Sequence, residues 1–184
     1  MDVFDAVLVA VYAAGGNITG RTAIQKMLYF AKERGLVKTT YIPHYYGPYS
    51  AEVADVVQEL VCMGFLHEEV EADENADPFL PEGWRRYAYR LTPDAEKVIE
   101  EIRDENGGEF DKLSMLVKSW KNCAGLNAKI LSCAAKVHYI CSKKKKSVTA
   151  EDIMEEARYF GWELSQDQVH KAVKLLESIS SQSG

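Results

Sequence analysis

Residues 50–66 read S-A-E-V-A-D-V-V-Q-E-L-V-C-M-G-F-L. Val53, Val56, Val57, Leu60 and Val61 recur at helical spacing, so the stretch is expected to form a helix over 51–63. Ser50 suits its N-cap and Gly64 its stop. The positions left facing outward are Glu52, Asp55, Gln58 and Glu59, and no Lys or Arg lies between Lys38 and Arg85. This is the third helix of a pattern that runs helix, helix, helix, hairpin, helix. The order is that of a winged helix-turn-helix, but with an acidic helix where DNA would be read. Phosphate neutralisation supplies most of the affinity of such contacts, and this helix has nothing to supply it with.

The neighbouring segments complete the pattern. Residues 3–14 are apolar on nearly every side, which predicts a first helix buried all round. Gly15-Gly16-Asn17 ends it. A second helix is expected over 20–34, with Ile24, Met27, Leu28 and Ala31 inward, Thr22 and Gln25 at capping-box spacing, and Gly35 past its end. F-L-H-E-E-V-E-A and R-R-Y-A-Y-R-L read as paired strands. In the second, Tyr87, Tyr89 and Leu91 alternate with Arg86, Ala88 and Arg90. The segment between them is a long acidic wing carrying Asp73, Glu74 and Asp77. Thr92 and Pro93 open a further helix as N-cap and N1.

Glu105-Asn106-Gly107-Gly108 has linker composition. It divides the chain into an expected winged-helix domain over 1–105 and an all-helical domain over 109–184. Helices are expected there near 110–120, 126–142, 150–160 and 166–178. Thr149 with Asp152 and Ser165 with Gln168 have the spacing of reciprocal caps. The fold class is therefore mainly α, with a two-stranded wing.

Composition is that of a globular protein able to bury a core, at 47% hydrophobic and 27% charged. The net charge of −6 is uneven. Residues 1–104 hold 10 Lys and Arg against 18 Asp and Glu, a balance of −8, while residues 105–184 hold 12 against 10, a balance of +2. An acidic front half argues against sequence-independent nucleic-acid binding there. The four cysteines form no C-x-x-C pair, as expected of a reduced, cytoplasmic protein. No signal peptide or membrane span is read in the apolar start, which lacks a basic flank and is too short to cross a bilayer.

The segments G-R-T-A-I-Q-K-M-L-Y-F-A-K and H-Y-Y-G-P-Y-S-A-E-V resemble the YwgA-like proteins of bacteria and archaea. They are more distantly similar to the Panacea domain of antitoxin proteins. The resemblance covers about residues 18–66. It points to Gln25, Lys26, Tyr29, Tyr46, Gly47, Pro48 and Tyr49, and it implies binding to a protein partner in the manner of an antitoxin or proteolytic adaptor.

Together these readings predict a non-enzymatic regulatory protein that acts mainly through protein contacts. The expected partner surface is Tyr45, Tyr46, Gly47 and Tyr49 with Glu52, Asp55 and Glu59. The alternative is a dimeric DNA-binding transcriptional regulator using Arg21 and Lys26 of the second helix, Arg85 and Arg86 of the wing, and Lys143 and Lys144 of a four-lysine run. That run lacks interleaved aromatic residues for stacking on bases. A homodimer is the other way to cover the first helix. No Gly-rich phosphate loop, G-x-S-x-G or H-E-x-x-H is present, so no catalytic residue and no cofactor is expected. Cys133, His138 and Cys141 share one predicted helix, but the first two point in different directions, so no metal site is expected.

Overall fold

The computed structural model describes residues 1–71, 86–144 and 148–181. Seven helices are described: α1 (Val3–Ala13), α2 (Arg21–Glu33), α3 (Ala51–Cys62), α4 (Pro93–Ala124), α5 (Ala128–Lys143), α6 (Ala150–Tyr159) and α7 (Gln166–Ser181). The strands are β1 (Asn17–Thr19), β2 (Ile42–His44), β3 (Gly47–Tyr49), β4 (Leu66–Glu71) and β5 (Arg86–Leu91). They form an antiparallel sheet of order β1-β5-β4 and a separate β2–β3 ribbon.

Helix α1 starts on Asp2, whose side chain accepts from the Asp5 amide. It has no polar face to spare, and Val7, Leu8, Val9, Ala10 and Val11 are all buried. It packs against α2, α3 and, most extensively, α4. Ser50 caps α3 as expected, accepting from the Val53 amide at 3.4 Å. Gly64 ends the helix with a positive φ of 80°, a conformation open to glycine. The β4–β5 register pairs Leu66 with Leu91 and Glu68 with Tyr89. Tyr89 is buried and Arg90 exposed, matching the alternation in the sequence. The wing tip, with Asp73, Glu74, Asp77 and Arg85, lies outside the described residues.

Three expectations are corrected. The predicted linker is helical: α4 runs through Glu105, Asn106, Gly107 and Gly108, with one kink at Asn106 (φ −126°, ψ 33°). Glycine in a helix costs roughly 1 kcal/mol, and tertiary packing on both sides of the kink outweighs it. Phe110 meets the Tyr12 ring at 5.9 Å, and Arg103 lies over Phe110 at 4.7 Å while donating to the Tyr12 hydroxyl. Second, Thr22 and Gln25 form no capping box. The N-cap of α2 is Gly20, without a side-chain bond. Third, Asn17 is not merely a helix stop but begins β1, which adds Ile18 to the core beside Tyr89.

The later helices follow the expected caps. Thr149 and Asp152 form a reciprocal box. Ser165 and Gln168 do the same, the Gln168 amide donating to Ser165 Oγ and the Ser165 amide to Gln168 Oε1. Buried residues of α1, α2, α4 and α5 belong to one continuous cluster. Within it Phe30 stacks on Trp120 at 4.3 Å. Trp120→Ala is expected to cost about 3–5 kcal/mol, read as a lowered denaturation midpoint.

Candidate functional site

Helix α2 is buried from Ala23 to Ala31, including its two polar positions Gln25 and Lys26. Both are spent on the chain that follows. Gln25 Nε2 donates to the Ser50 carbonyl at 2.8 Å, and Gln25 Oε1 accepts from the Ser50 amide at 3.0 Å. The side-chain amide thus satisfies both backbone groups of the α3 N-cap residue. Its own carbonyl takes the Tyr41 hydroxyl at 3.0 Å. Replacing Gln25 with Leu leaves the buried Ser50 amide unsatisfied, at a cost of about 1–3 kcal/mol, while the Ser50 carbonyl keeps its bond from the Ala54 amide. The Gln25→Leu variant is expected to melt well below its parent.

Lys26 Nζ donates to the Pro48 carbonyl at 2.6 Å. Two further donors reach the same ribbon from distant parts of the chain. Ser132 Oγ of α5 donates to the Tyr46 carbonyl at 2.6 Å, and Trp162 Nε1 donates to the His44 carbonyl at 2.7 Å. The carbonyls of residues 44, 46 and 48 are therefore pinned by three different elements. Gly47 sits between them with φ 95° and is buried. A Cβ there would meet Lys136 Cγ at 3.1 Å and Lys26 Cε at 3.6 Å.

The ribbon's backbone is fixed, but its rings are not buried. Tyr45 is 64% exposed and Tyr46 43%, packed edge to face at 4.8 Å, and Ile42 is 62% exposed. Tyr49 is half-buried and lies tilted against His44 at 5.0 Å. The inward group of the G-P-Y turn is Pro48, not a tyrosine. On the adjacent α3, Glu52, Asp55 and Glu59 are exposed as expected, and Glu52 accepts from Thr39 Oγ1 at 2.7 Å.

Between α2, the ribbon and α3 lies a cleft of about 460 Å³. Ile24, Val53, Ala54 and Val57 line it, with Lys26, His44, Tyr46, Tyr49 and Asp55 around them. Burial, and then the charge of Lys136, lower the Lys26 pKa to about 7.

The basic residues weighed as nucleic-acid contacts are dispersed. Lys26 is 1% exposed and bonded to the Pro48 carbonyl at the inner end of the cleft, out of reach of a duplex backbone. Arg21 donates to Tyr89 Oη at 2.6 Å and to Glu68 at 3.0 Å, and lies over the Tyr87 ring at 4.1 Å. Desolvation opposes ionisation of Glu68, but hydrogen bonds from Tyr89, Arg21 and Gln58 prevail and hold its carboxyl below the usual range. These bonds tie β4 to α2 and α3. Arg85 lies outside the described residues, and Arg86 opens β5. Lys143 bonds Tyr139 Oη at 2.6 Å and Lys144 pairs with Glu156 at 3.0 Å. The remaining two lysines of the run are outside the described residues.

Cys133 donates to the Gln168 carbonyl, and burial raises its thiol pKa. His138 Nδ1 instead faces the Tyr29 hydroxyl at 2.9 Å. Sequence reasoning misses Ser132 and Trp162, because nothing local marks side chains that bond a ribbon some 90 to 120 residues away.

The architecture is thus a mainly helical protein that holds a short aromatic ribbon against a buried Gln-Lys pair. Over 88 residues, 47% of this chain, it is 39% identical to the uncharacterised protein YwgA of Bacillus subtilis (strain 168). This supports the YwgA-like resemblance. The chain spans about half the length of that curated relative. No family model matches the chain. Among the described residues, no helix is long and apolar enough to cross a membrane.

Proposed function

We propose that this is a winged-helix regulatory protein acting through contacts with a protein partner, in the manner of an antitoxin or adaptor. The observation that carries the reading is the pinned ribbon. Three donors fix its backbone while Tyr45 and Tyr46 stand exposed beside the acidic face of α3. Rigid tyrosines give contact area at low entropic cost. Acidic neighbours favour a partner with a basic rim, through steering and complementarity.

Capture of a partner by the tagged full chain, compared between parent and Tyr45→Ala, tests this. A central Tyr truncation is expected to weaken capture by about 2 kcal/mol, roughly thirtyfold. Melting should stay within about 0.5 kcal/mol of the parent. Equal capture by both proteins would remove the ribbon from the interface.

The same reading predicts poor binding to random duplex DNA. Non-specific binders reach dissociation constants of about 10⁻⁴–10⁻⁶ M through several phosphate contacts. Here Lys26 is buried, and Arg21 and Lys144 are paired with carboxylates. No mobility shift is expected at physiological salt in the low micromolar range. A salt-sensitive shift at such concentrations would favour the DNA-binding regulator instead.

A further inference from the structure

The cleft beside the ribbon has a charge arrangement that its structural role does not require. Lys26 reaches its inner end, 99% removed from solvent, and uses one of its three N–H donors on Pro48. A second ammonium, Lys136 of α5, is not part of the cleft lining and lies over the Trp162 ring at 5.7 Å, yet it is close enough to disfavour the charge on Lys26, and both side chains pass within contact of Gly47. Among the described residues, no carboxylate forms an ion pair with either lysine. Taking an ammonium out of water costs several kcal/mol, and buried charges are normally paired. Methionine would fill the same space without that cost, and a neutral donor would serve the Pro48 carbonyl as well, while Gln25 already holds the start of α3.

The rest of the lining limits what could pair with Lys26. Ile24, Val53, Ala54 and Val57 supply apolar surface. Asp55 lies exposed on the α3 side and would repel a second negative charge. Arg21, which also lines the cleft, is engaged by Glu68 and Tyr89. A phosphate dianion therefore finds too few donors. A single carboxylate on an apolar body matches both ends, and the volume of about 460 Å³ is that of a small-ligand pocket.

We infer that this cleft is a binding site for a carboxylate carried on an apolar group. Lys26 receives the carboxylate, Lys136 adds to the attraction, and the apolar body lies against Ile24, Val53 and Val57. The carboxylate belongs either to a free organic acid or to the C-terminus of a peptide ending in an apolar residue. The site shares Lys26, Tyr46 and Tyr49 with the ribbon, but the inference does not require the ribbon to bind a protein partner.

Calorimetric titration of the full chain tests it with four probes: 4-phenylbutyrate, its neutral amide, a tetrapeptide ending in Leu with a free carboxylate, and the same peptide amidated. At least one acid is expected to bind, with the matching amide roughly tenfold or more weaker, the usual scale for losing a charge-assisted hydrogen bond. The acid that binds identifies the source. Lys26→Met should weaken binding at least as much as the amide does. Lys136→Met should weaken it less, and Lys118→Met, on an exposed part of α4, should leave it unchanged. If Lys26→Met does not fold, Lys136→Met and the acid–amide ratio decide. Failure of both acids to bind at millimolar concentration overturns the site. So does an amide that binds as well as its acid, or a folded Lys26→Met that binds like the parent.

Discussion

A fragment ending at Arg103 is expected not to fold. It keeps α1, α2, α3, the β-strands and the first part of α4, which is nearly the whole of the winged-helix region read from the sequence. It loses the part of α4 beyond the Asn106 kink, where Phe110, Leu113, Leu116, Val117 and Trp120 are buried. Contacts such as Tyr12 with Phe110 and Phe30 with Trp120 show this part of α4 packing on α1 and α2. Burial of a large apolar side chain contributes about 1.5–3 kcal/mol, so five of them represent roughly 8–15 kcal/mol. That equals the whole net stability of a typical domain, about 5–15 kcal/mol. The fragment also loses α5, and with it Ser132 on the Tyr46 carbonyl. Circular dichroism melting should show no cooperative transition, and a hydrophobic dye should bind. A soluble 1–103 fragment with a sharp melt would mean that α1 is covered within the front region or by a second copy.

The same contacts explain which parts of the fold are legible in the sequence. Helices α1 and α3 and the β4–β5 pair carry their periodicity in contiguous residues, and each forms where the pattern places it. The reading fails where long-range packing outweighs local preference. Gly107 and Gly108 look like a linker because glycine weakens an isolated helix. In the folded chain, Ile102 and Phe110 on either side are held in the core, and the helix continues. Strand β1 has only three residues, too few to show alternation, and exists because β5 offers it an edge. The β2–β3 ribbon pairs Pro43 with Pro48. Two prolines in so short a stretch suggest a loop, and the ribbon is held by donors from α2, α5 and Trp162 in place of a long ladder.

The candidate site is legible in half. The aromatic turn and the Gln25-Lys26 pair stand out in the sequence and come together in space. What sequence reasoning missed is that Lys26 is an interior residue. On α2 it follows Ile24 and Gln25 and precedes Met27, and a lysine there reads as the solvated face of an amphipathic helix. The helix has no such face over that stretch, because the ribbon and α5 cover it. The charge of Lys26 is thereby set against Lys136, a residue 110 positions away.

Stability should therefore rise with pH across neutrality, contrary to the flat profile expected of a lysine in water. Lys26 is held near 7 in the folded chain by burial and by Lys136, against an ordinary value of 10.5. Its folded pKa is depressed, so between these values the unfolded chain binds a proton that the folded chain does not. The slope of unfolding free energy with pH is then positive. One pKa unit corresponds to about 1.4 kcal/mol, so the gain from pH 7 to pH 9 is about 2–3 kcal/mol. Lys136 is lowered too and acts in the same direction. Of the other shifted groups, two thiols reach into this interval. Glu68, Glu109 and Asp152, held low, act in acid. His138, lowered by burial, acts below its ordinary value of 6.5. The thiols of Cys133 and Cys141, raised by burial, oppose folding stability from about pH 8 upward and offset part of the climb, whereas the hydroxyls of Tyr29, Tyr41 and Tyr89, also raised, do so only above about pH 9. Urea unfolding of the full chain at pH 7, 8 and 9 should show the midpoint climbing at constant m-value. Lys26→Met should lose most of that climb, retaining the smaller part due to Lys136, and Lys26→Met with Lys136→Met should no longer climb and should fall slightly toward pH 9 as the two thiols act. A parent protein whose midpoint does not move over this range would mean that Lys26 keeps its proton when folded, and so that its charge is met by water or an anion at the end of the cleft.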